Sequence, residues 1–153
     1  MPSHSRKGGM EQRVTFELLQ AARAYRVRSA KLLARVGLYP GQDALLKLLH
    51  ERGRMTMGEA ASALSIQPPT VTKMVNRLSA AGLVRTEVVD NDRRKISIAM
   101  TEAAAGKIHE IDAIWRDLEI EALDKLEPNV LRTQLSAITR NLSRGEDKIG
   151  PAS

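Results

Sequence analysis

Apolar side chains recur every three or four residues over most of the chain, which is the spacing of one face of an α-helix. The first such segment covers about residues 11–36, and Gly37 is its expected end. A second helix is predicted in "LYPGQDALLKLLHERG", with Pro40 near its start and Gly53 just beyond its end. Both segments are amphipathic, so both are expected to pack against other elements.

Two short helices follow, and together they predict a helix-turn-helix. Thr56 and Glu59 have the spacing of a capping box, in which each side chain pairs with a backbone N–H group of the first turn. Pro68 and Pro69 mark the start of the next helix, because the N–H group that proline lacks would be unpaired there anyway. Behind them, an apolar stripe is formed by Val71, Met74, Val75 and Leu78. The opposite, polar face carries Thr70, Thr72, Lys73, Asn76 and Arg77 and has no acidic residue.

After Gly82 the apolar pattern changes to a period of two, which predicts a β-hairpin. Its two alternating segments flank the charged tip "DNDRR", residues 90–94. A helix-turn-helix followed directly by a basic hairpin is a winged helix-turn-helix. We therefore assign residues 38–101 to such a lobe, in a chain that is mainly α-helical with a small β-hairpin wing.

Two further helices are predicted after the hairpin. Thr101 is expected to cap the first, and Glu127 and Pro128 to end it. The last helix lies in "PNVLRTQLSAITRNL". The apolar stripes of the terminal helices are too long for one small lobe to bury, so residues 11–36 and 102–143 are interpreted as dimerisation helices, with packing inside one chain as the alternative. Residues 1–10 are expected to form a disordered basic tail, and residues 144–153 a loose end.

Composition narrows the class of protein. The chain has 153 residues, of which 42% are hydrophobic and 27% charged, as in ordinary soluble domains. Its formal net charge of +6 favours a polyanionic partner, and its 3% aromatic content argues against stacking on single-stranded nucleic acid. There is no cysteine, no apolar run of membrane-spanning length and no apolar segment behind the N-terminal charges. We expect a cytoplasmic protein without a membrane partner.

The polar face of the Pro68 helix is the strongest candidate for a binding surface. A merely solvated face usually mixes both charge signs, whereas this one has only the cations Lys73 and Arg77. Its threonine and asparagine side chains suit base edges and phosphates. At the wing, Arg93, Arg94 and Lys95 are consecutive and suited to a minor groove, although the tip also has ordinary turn chemistry. The sequence therefore favours binding of double-stranded DNA.

Catalysis and metal binding receive no support from the sequence. The three histidines, His4, His50 and His109, lack the spacing of a paired metal site. We find no glycine-rich phosphate loop and no nucleophile elbow. The chain is therefore predicted not to be an enzyme and to need no cofactor or metal.

With these elements in order, the chain resembles the MarR family of bacterial transcriptional regulators over about residues 11–142. The family's wing signature is matched by Asp92, Arg94 and Thr101, and the turn "RLSAAGLV" is also similar to the family's. Met100 stands where leucine is usual, and "TEAAAGK" lacks a glycine often found there. Both departures are conservative for packing.

The resemblance implies a homodimer that binds a pseudo-palindromic operator, usually as a repressor. It implies that Arg94 enters the minor groove and that Asp92 braces it. The complete set of expected DNA contacts is Gln67, Pro69, Thr70, Thr72, Lys73, Asn76, Arg77, Asp92, Arg93, Arg94 and Lys95. The alternative is a winged helix that binds an acidic protein partner.

The resemblance also implies release from DNA by a small ligand, often an aromatic acid or a phenol, bound between the DNA-binding lobe and the dimer helices. The candidate pocket residues are Tyr25, Arg28, Tyr39, His50 and Trp115. Ordinary core or surface positions are the alternative for each of them. Because the chain has no cysteine, the thiol-oxidation sensing found in the family is excluded.

Overall fold

The computed structural model describes residues 9–89 and 95–146, which form six α-helices and three short strands. The elements are α1 (Val14–Arg35), α2 (Gln42–Arg52), β1 (Met55–Thr56), α3 (Met57–Leu64), α4 (Pro68–Ala80), β2 (Val84–Val88), β3 (Ile96–Met100), α5 (Ala105–Ala122) and α6 (Pro128–Glu146). Single 3-10 turns precede α1 and α5. The chain divides into two compact units between Leu118 and Glu119. The predicted fold class, mainly helical with a small wing, is confirmed.

The wing is a three-stranded antiparallel sheet in the order β1-β3-β2. Ile98 lies at its centre, opposite Met55 of β1 and Thr86 of β2, and is fully buried. The predicted hairpin is confirmed, but β1 was not predicted, because two residues are too few to show a period. Towards the tip, Val88 pairs with Ile96 and both are exposed. Residues 90–94, the predicted tip, lie outside the described residues.

The core of the first unit joins α2, α3, α4, the sheet and α5. Its largest fully buried side chains are Leu33, Leu45, Leu46, Leu78, Ile98, Ile111, Val71 and Val75. On α3, the small side chains of Ala60 and Ala61 are buried, as expected for close contact with a neighbouring helix. Helix α1 contributes only Ser29 and Leu33 as buried residues, so most of its surface is exposed.

The capping box at the start of α3 is confirmed. The backbone N–H of Glu59 donates to Thr56 Oγ1 at 3.1 Å, and the N–H of Thr56 donates to Glu59 Oε2 at 2.8 Å. This reciprocal pair fixes the point at which β1 turns into α3. It therefore fixes the start of the helix-turn-helix relative to the sheet.

We expect Thr56→Ala to lower the free energy of unfolding by about 1 kcal/mol, because the N–H of Glu59 loses its acceptor. Urea unfolding at a fixed protein concentration measures this change. Ser62→Ala, at an exposed position later in the same helix, is the control and should stay within about 0.5 kcal/mol of wild type. Equal stability of the Thr56 variant and the control would show that the box does not stabilise the helix.

The prediction that Thr101 caps the following helix by its side chain was wrong. The hydroxyl of Thr101 instead donates to the carbonyl oxygen of Gly82 at 2.6 Å, and its N–H donates to the carbonyl of Leu83. Both bonds tie the end of β3 to the turn after α4, where Gly82 has a φ of 74°. Helix α5 begins only at Ala105, after a 3-10 turn.

The second unit contains the end of α5 and all of α6. Helix α5 ends at Ala122, earlier than the predicted end at Glu127 and Pro128. Lys125, with a φ of 60°, lies in the turn that follows, and α6 begins at Pro128 as predicted. The expected loose end is corrected in part, because α6 continues through Glu146. In this last stretch the Ser143 hydroxyl donates to the carbonyl of Thr139. Residues 147–153 lie outside the described residues.

Candidate nucleic-acid interface

Helix α4 begins at Pro68 because the residues of its first turn suit the start of a helix. Pro68 and Pro69 occupy the first helical positions, and Gln67 before them has an extended backbone. The preceding turn contains Ser65 in the left-handed region, with a φ of 53°. Val71, Val75 and Leu78 are buried against the core and Met74 is half-buried. The polar side of α4 is consequently turned outward.

The residues of this polar side are exposed, as their proposed role requires. They are Gln67, Pro69, Thr70, Thr72, Lys73, Asn76 and Arg77. The Thr72 hydroxyl donates to the carbonyl of Pro68 at 3.2 Å, so its oxygen remains available mainly as an acceptor. The helix carries two cations and no acidic residue. It therefore presents hydroxyl, amide and cationic groups on one continuous face.

The loop between α1 and α2 lies along one edge of this face. Tyr39, Pro40 and Gln42 form a shallow groove with four residues of α4, namely Thr70, Lys73, Met74 and Arg77, and its volume is about 180 Å³. The guanidinium carbon of Arg77 lies 5.3 Å from the centre of the Tyr39 ring. Tyr39, predicted as a pocket residue, is thus placed beside the basic face of α4.

At the wing, Asp92, Arg93 and Arg94 lie outside the described residues, and Lys95 is exposed. The last described backbone bond between the two strands runs from the N–H of Val89 to the carbonyl of Lys95. Sequence reasoning missed an ion cluster in which Glu87 pairs with Arg54 at 2.9 Å and with Arg85 at 3.1 Å. No short motif connects these three residues. The cluster brings two further cations to β2 and to the start of β1.

A larger cavity of about 540 Å³ lies beside α4 within the first unit. Its lining comprises Tyr25, Arg26, Ser29, Pro40, Gly41, Asp43, Ala44, Leu64, Ile66, Thr70, Met74 and Trp115. Of the five predicted pocket residues, the structure brings Tyr25 and Trp115 together here. Arg28 lines a separate groove along α1 with Arg23 and Lys31, and His50 is exposed in the last turn of α2. Thr70 and Met74 show that α4 itself forms part of the cavity wall.

Asp43 organises the wall of this cavity, and sequence reasoning did not identify it. Its carboxylate is buried and accepts from the indole N–H of Trp115 at 2.9 Å and from the N–H of Gly41 at 3.0 Å. The ammonium group of Lys47 lies 5.9 Å from the centre of the Trp115 ring and bonds Asp112 at 2.8 Å. That hydrogen bond raises the pKa of Lys47 and lowers the pKa of Asp112. These contacts join α5 to α2 beside the cavity.

Other kinds of site find no support in residues 9–89 and 95–146. This part of the chain contains no group of histidine, aspartate and glutamate side chains arranged to hold a metal ion. Over the same residues, no helix combines the length and the apolar character needed to cross a membrane.

Comparison with known proteins agrees with this geometry. The model of the MarR family matches residues 38–96. The uncharacterised HTH-type transcriptional regulator YwoH of Bacillus subtilis is 32% identical over 107 residues, which are 70% of this chain and 77% of that protein.

Solved structures of similar fold cover most of the chain. The S. aureus MepR–DNA complex has a TM-score of 0.76 at 18% identity and covers 86% of this chain and 98% of its own. Bordetella bronchiseptica BpsR, whose DNA binding is described as regulated by 6-hydroxynicotinic acid, has a TM-score of 0.77 at 20% identity. The match covers 89% of this chain and 96% of the BpsR chain. At these identities the similarity concerns the fold.

Proposed function

We propose, from the premise that this chain belongs to the MarR family of transcriptional regulators, that it binds a specific double-stranded operator and represses transcription. The observation that carries the proposal is the exposed face of α4, which has no acidic residue. The apolar stripe on the opposite side of the helix is buried and holds α4 against the core. A helix of this kind in a helix-turn-helix fits the major groove, where side chains read base edges. Family and fold are those of regulators, and we propose no catalytic activity and no cofactor.

We propose that the functional unit is a homodimer. Apolar side chains are exposed on α1 at Val14, Leu19 and Val27, and in the other unit on α6 at Val130, Leu135 and Leu142. Such surfaces favour contact with a second copy. A two-fold axis would repeat the α4 face on the DNA, which matches a pseudo-palindromic site with half-sites about one helical turn apart.

The cavity beside α4 supports release by a small aromatic or phenolic effector. Its lining combines the rings of Tyr25 and Trp115 with the cation of Arg26. Because Thr70 and Met74 of α4 belong to the same wall, a bound molecule contacts the DNA-binding helix directly. It can favour release only if it binds the free form of the protein more tightly than the DNA-bound form.

Fluorescence anisotropy tests the DNA-binding proposal. The protein is titrated into a labelled duplex from the promoter upstream of its own gene and into a scrambled duplex, at two salt concentrations. We expect saturable binding to the promoter at one dimer per site, and much weaker binding to the scramble. Equal, weak and salt-sensitive binding to both would overturn it and favour the alternative of an interaction module for an acidic protein. A regulator of this kind works on cytoplasmic DNA, so we place the protein in the cytoplasm.

We expect Arg94→Ala to weaken promoter binding by about 1–3 kcal/mol and to lower the salt slope by about 1, as for a lost cationic contact. The expectation rests on the wing signature, since Arg94 lies outside the described residues. Arg52→Ala, which removes the same charge from the end of α2, is the control. Identical affinities of the Arg94 variant and wild type would show that the wing does not engage DNA.

A further inference from the structure

Tyr39 is an exposed aromatic residue in a position that packing alone does not explain. Its side chain is 61% exposed, and its ring lies at the edge of the basic face of α4 rather than in the core. An exposed ring gains little from the hydrophobic effect where it stands. Its position next to Arg77 therefore suggests a role in the function of that face.

The contact between Tyr39 and Arg77 has the geometry of a cation–π interaction. The separation of 5.3 Å between the guanidinium carbon and the ring centre is within the range of about 6 Å in which such pairs attract. A free arginine side chain samples many rotamers, and ordering it upon binding costs entropy. A ring that already limits those rotamers reduces this cost.

The backbone that carries Tyr39 is itself held by side-chain hydrogen bonds. The N–H of Tyr39 donates to Oε1 of the buried Gln42 at 2.9 Å, and the N–H of Gly41 donates to Asp43. Gly41 has a φ of 94°, and a Cβ built there would lie 2.9 Å from Sδ of Met74 on α4. The loop thus lies directly against α4, and two side chains from the start of α2 hold its backbone. The backbone of Tyr39 is therefore positioned beside α4 by specific hydrogen bonds.

We propose that Tyr39 is a positioning residue for DNA binding, whose ring holds the guanidinium group of Arg77 in the orientation that meets the duplex. The inference rests on the proposed function, which makes Arg77 a DNA contact. It assigns to Tyr39 a place at the nucleic-acid interface rather than in the effector cavity. The ring, not the hydroxyl, is the active part of the side chain in this role.

A double-mutant cycle on promoter affinity tests the proposal. We expect Tyr39→Leu to weaken promoter binding about two- to fivefold, which corresponds to the loss of an exposed cation–π contact. The dependence of affinity on salt concentration should not change, because no charge is lost. Tyr39→Phe keeps the ring and should retain wild-type affinity. In an Arg77→Gln background, Tyr39→Leu should have no further effect, since the group that it positions is absent.

The same pair can be observed without DNA. In the wild-type protein the Nε–H resonance of Arg77 should be displaced by the ring current of Tyr39, and Tyr39→Leu should remove the displacement. Three outcomes would each overturn the proposal. They are unchanged promoter affinity in Tyr39→Leu, equal losses of affinity in Tyr39→Leu and Tyr39→Phe, and an undiminished effect of Tyr39→Leu in the Arg77→Gln background. Failure of the wild-type protein to prefer the promoter would instead remove the proposed function, and the DNA role of Tyr39 with it. The resonance would still report whether the contact forms.

Discussion

Ile98→Ala is expected to lower the free energy of unfolding by about 2–5 kcal/mol, which is the usual cost of deleting a large aliphatic side chain from a packed core. Ile98 is fully buried at the middle of β3, with β1 on one side and β2 on the other. Its removal leaves a cavity at the junction of the wing and the helix-turn-helix. Chemical unfolding followed by far-UV circular dichroism measures the loss, at one protein concentration because association would also contribute.

Ile96→Ala provides a matched control for this prediction. It removes the same atoms from the same strand, but Ile96 is 37% exposed and lies near the open end of the hairpin. We expect a loss of no more than about 1 kcal/mol, because less apolar surface is returned to water and no closed cavity forms. Equal losses in the two variants would mean that the sheet is not packed as described.

The parts of the fold that could be predicted from the sequence are those whose signals are local and repeated. Pro68 and Pro69 mark the start of α4, its apolar stripe repeats over two turns, and the hairpin shows a clear change of period. Strand β1 could not be predicted in this way. It is a strand only because Met55 and Thr56 pair with β3, more than forty residues later in the chain.

The incorrect predictions of helix caps and helix ends also arise from reliance on local signals. Thr101 followed by an acidic residue is a good local signal for a helix cap, but the carbonyl of Gly82 captures its hydroxyl after the chain folds. Residues 144–153 were predicted to be a loose end, but α6 continues through Glu146 although it includes Ser143 and Gly145, which are weak helix formers; such propensities are easily overridden. In each case a contact or a continuing helix outweighed a preference worth about 1 kcal/mol or less.

The candidate site likewise has a part that follows from the sequence and a part that depends on tertiary contacts. Its α4 residues share one helix face, so their common exposure follows from helical spacing alone. The contact of Tyr39 with Arg77 and that of Asp43 with Trp115 join residues from different helices and loops. No periodicity relates such positions, and residue type alone does not indicate that Tyr39 contacts Arg77. These pairs are visible only in the folded chain, where the loop before α2 lies beside α4 and α2 lies beside α5.

Asp43→Ala should lower the free energy of unfolding by about 2–4 kcal/mol, because it leaves two hydrogen-bond donors without their charged acceptor. The indole N–H of Trp115 and the N–H of Gly41 both donate to this buried carboxylate. Water entering the cavity replaces part of the loss, which keeps the expected value below that of two fully buried bonds. Trp115 is the only tryptophan of the chain, so its emission follows the same site during urea unfolding.

A milder substitution at Asp43 and an exposed carboxylate on α5 provide the comparison variants. Asp43→Asn keeps one oxygen to accept from either donor, so we expect a smaller loss of about 1–2 kcal/mol. Asp117→Ala removes an exposed carboxylate from α5 and should change stability by no more than about 0.5 kcal/mol. If Asp43→Ala were as stable as Asp117→Ala, the carboxylate would not hold the wall of the cavity. In that case the emission of Trp115 should also be unchanged in the folded variant, which gives an independent check on the same contact.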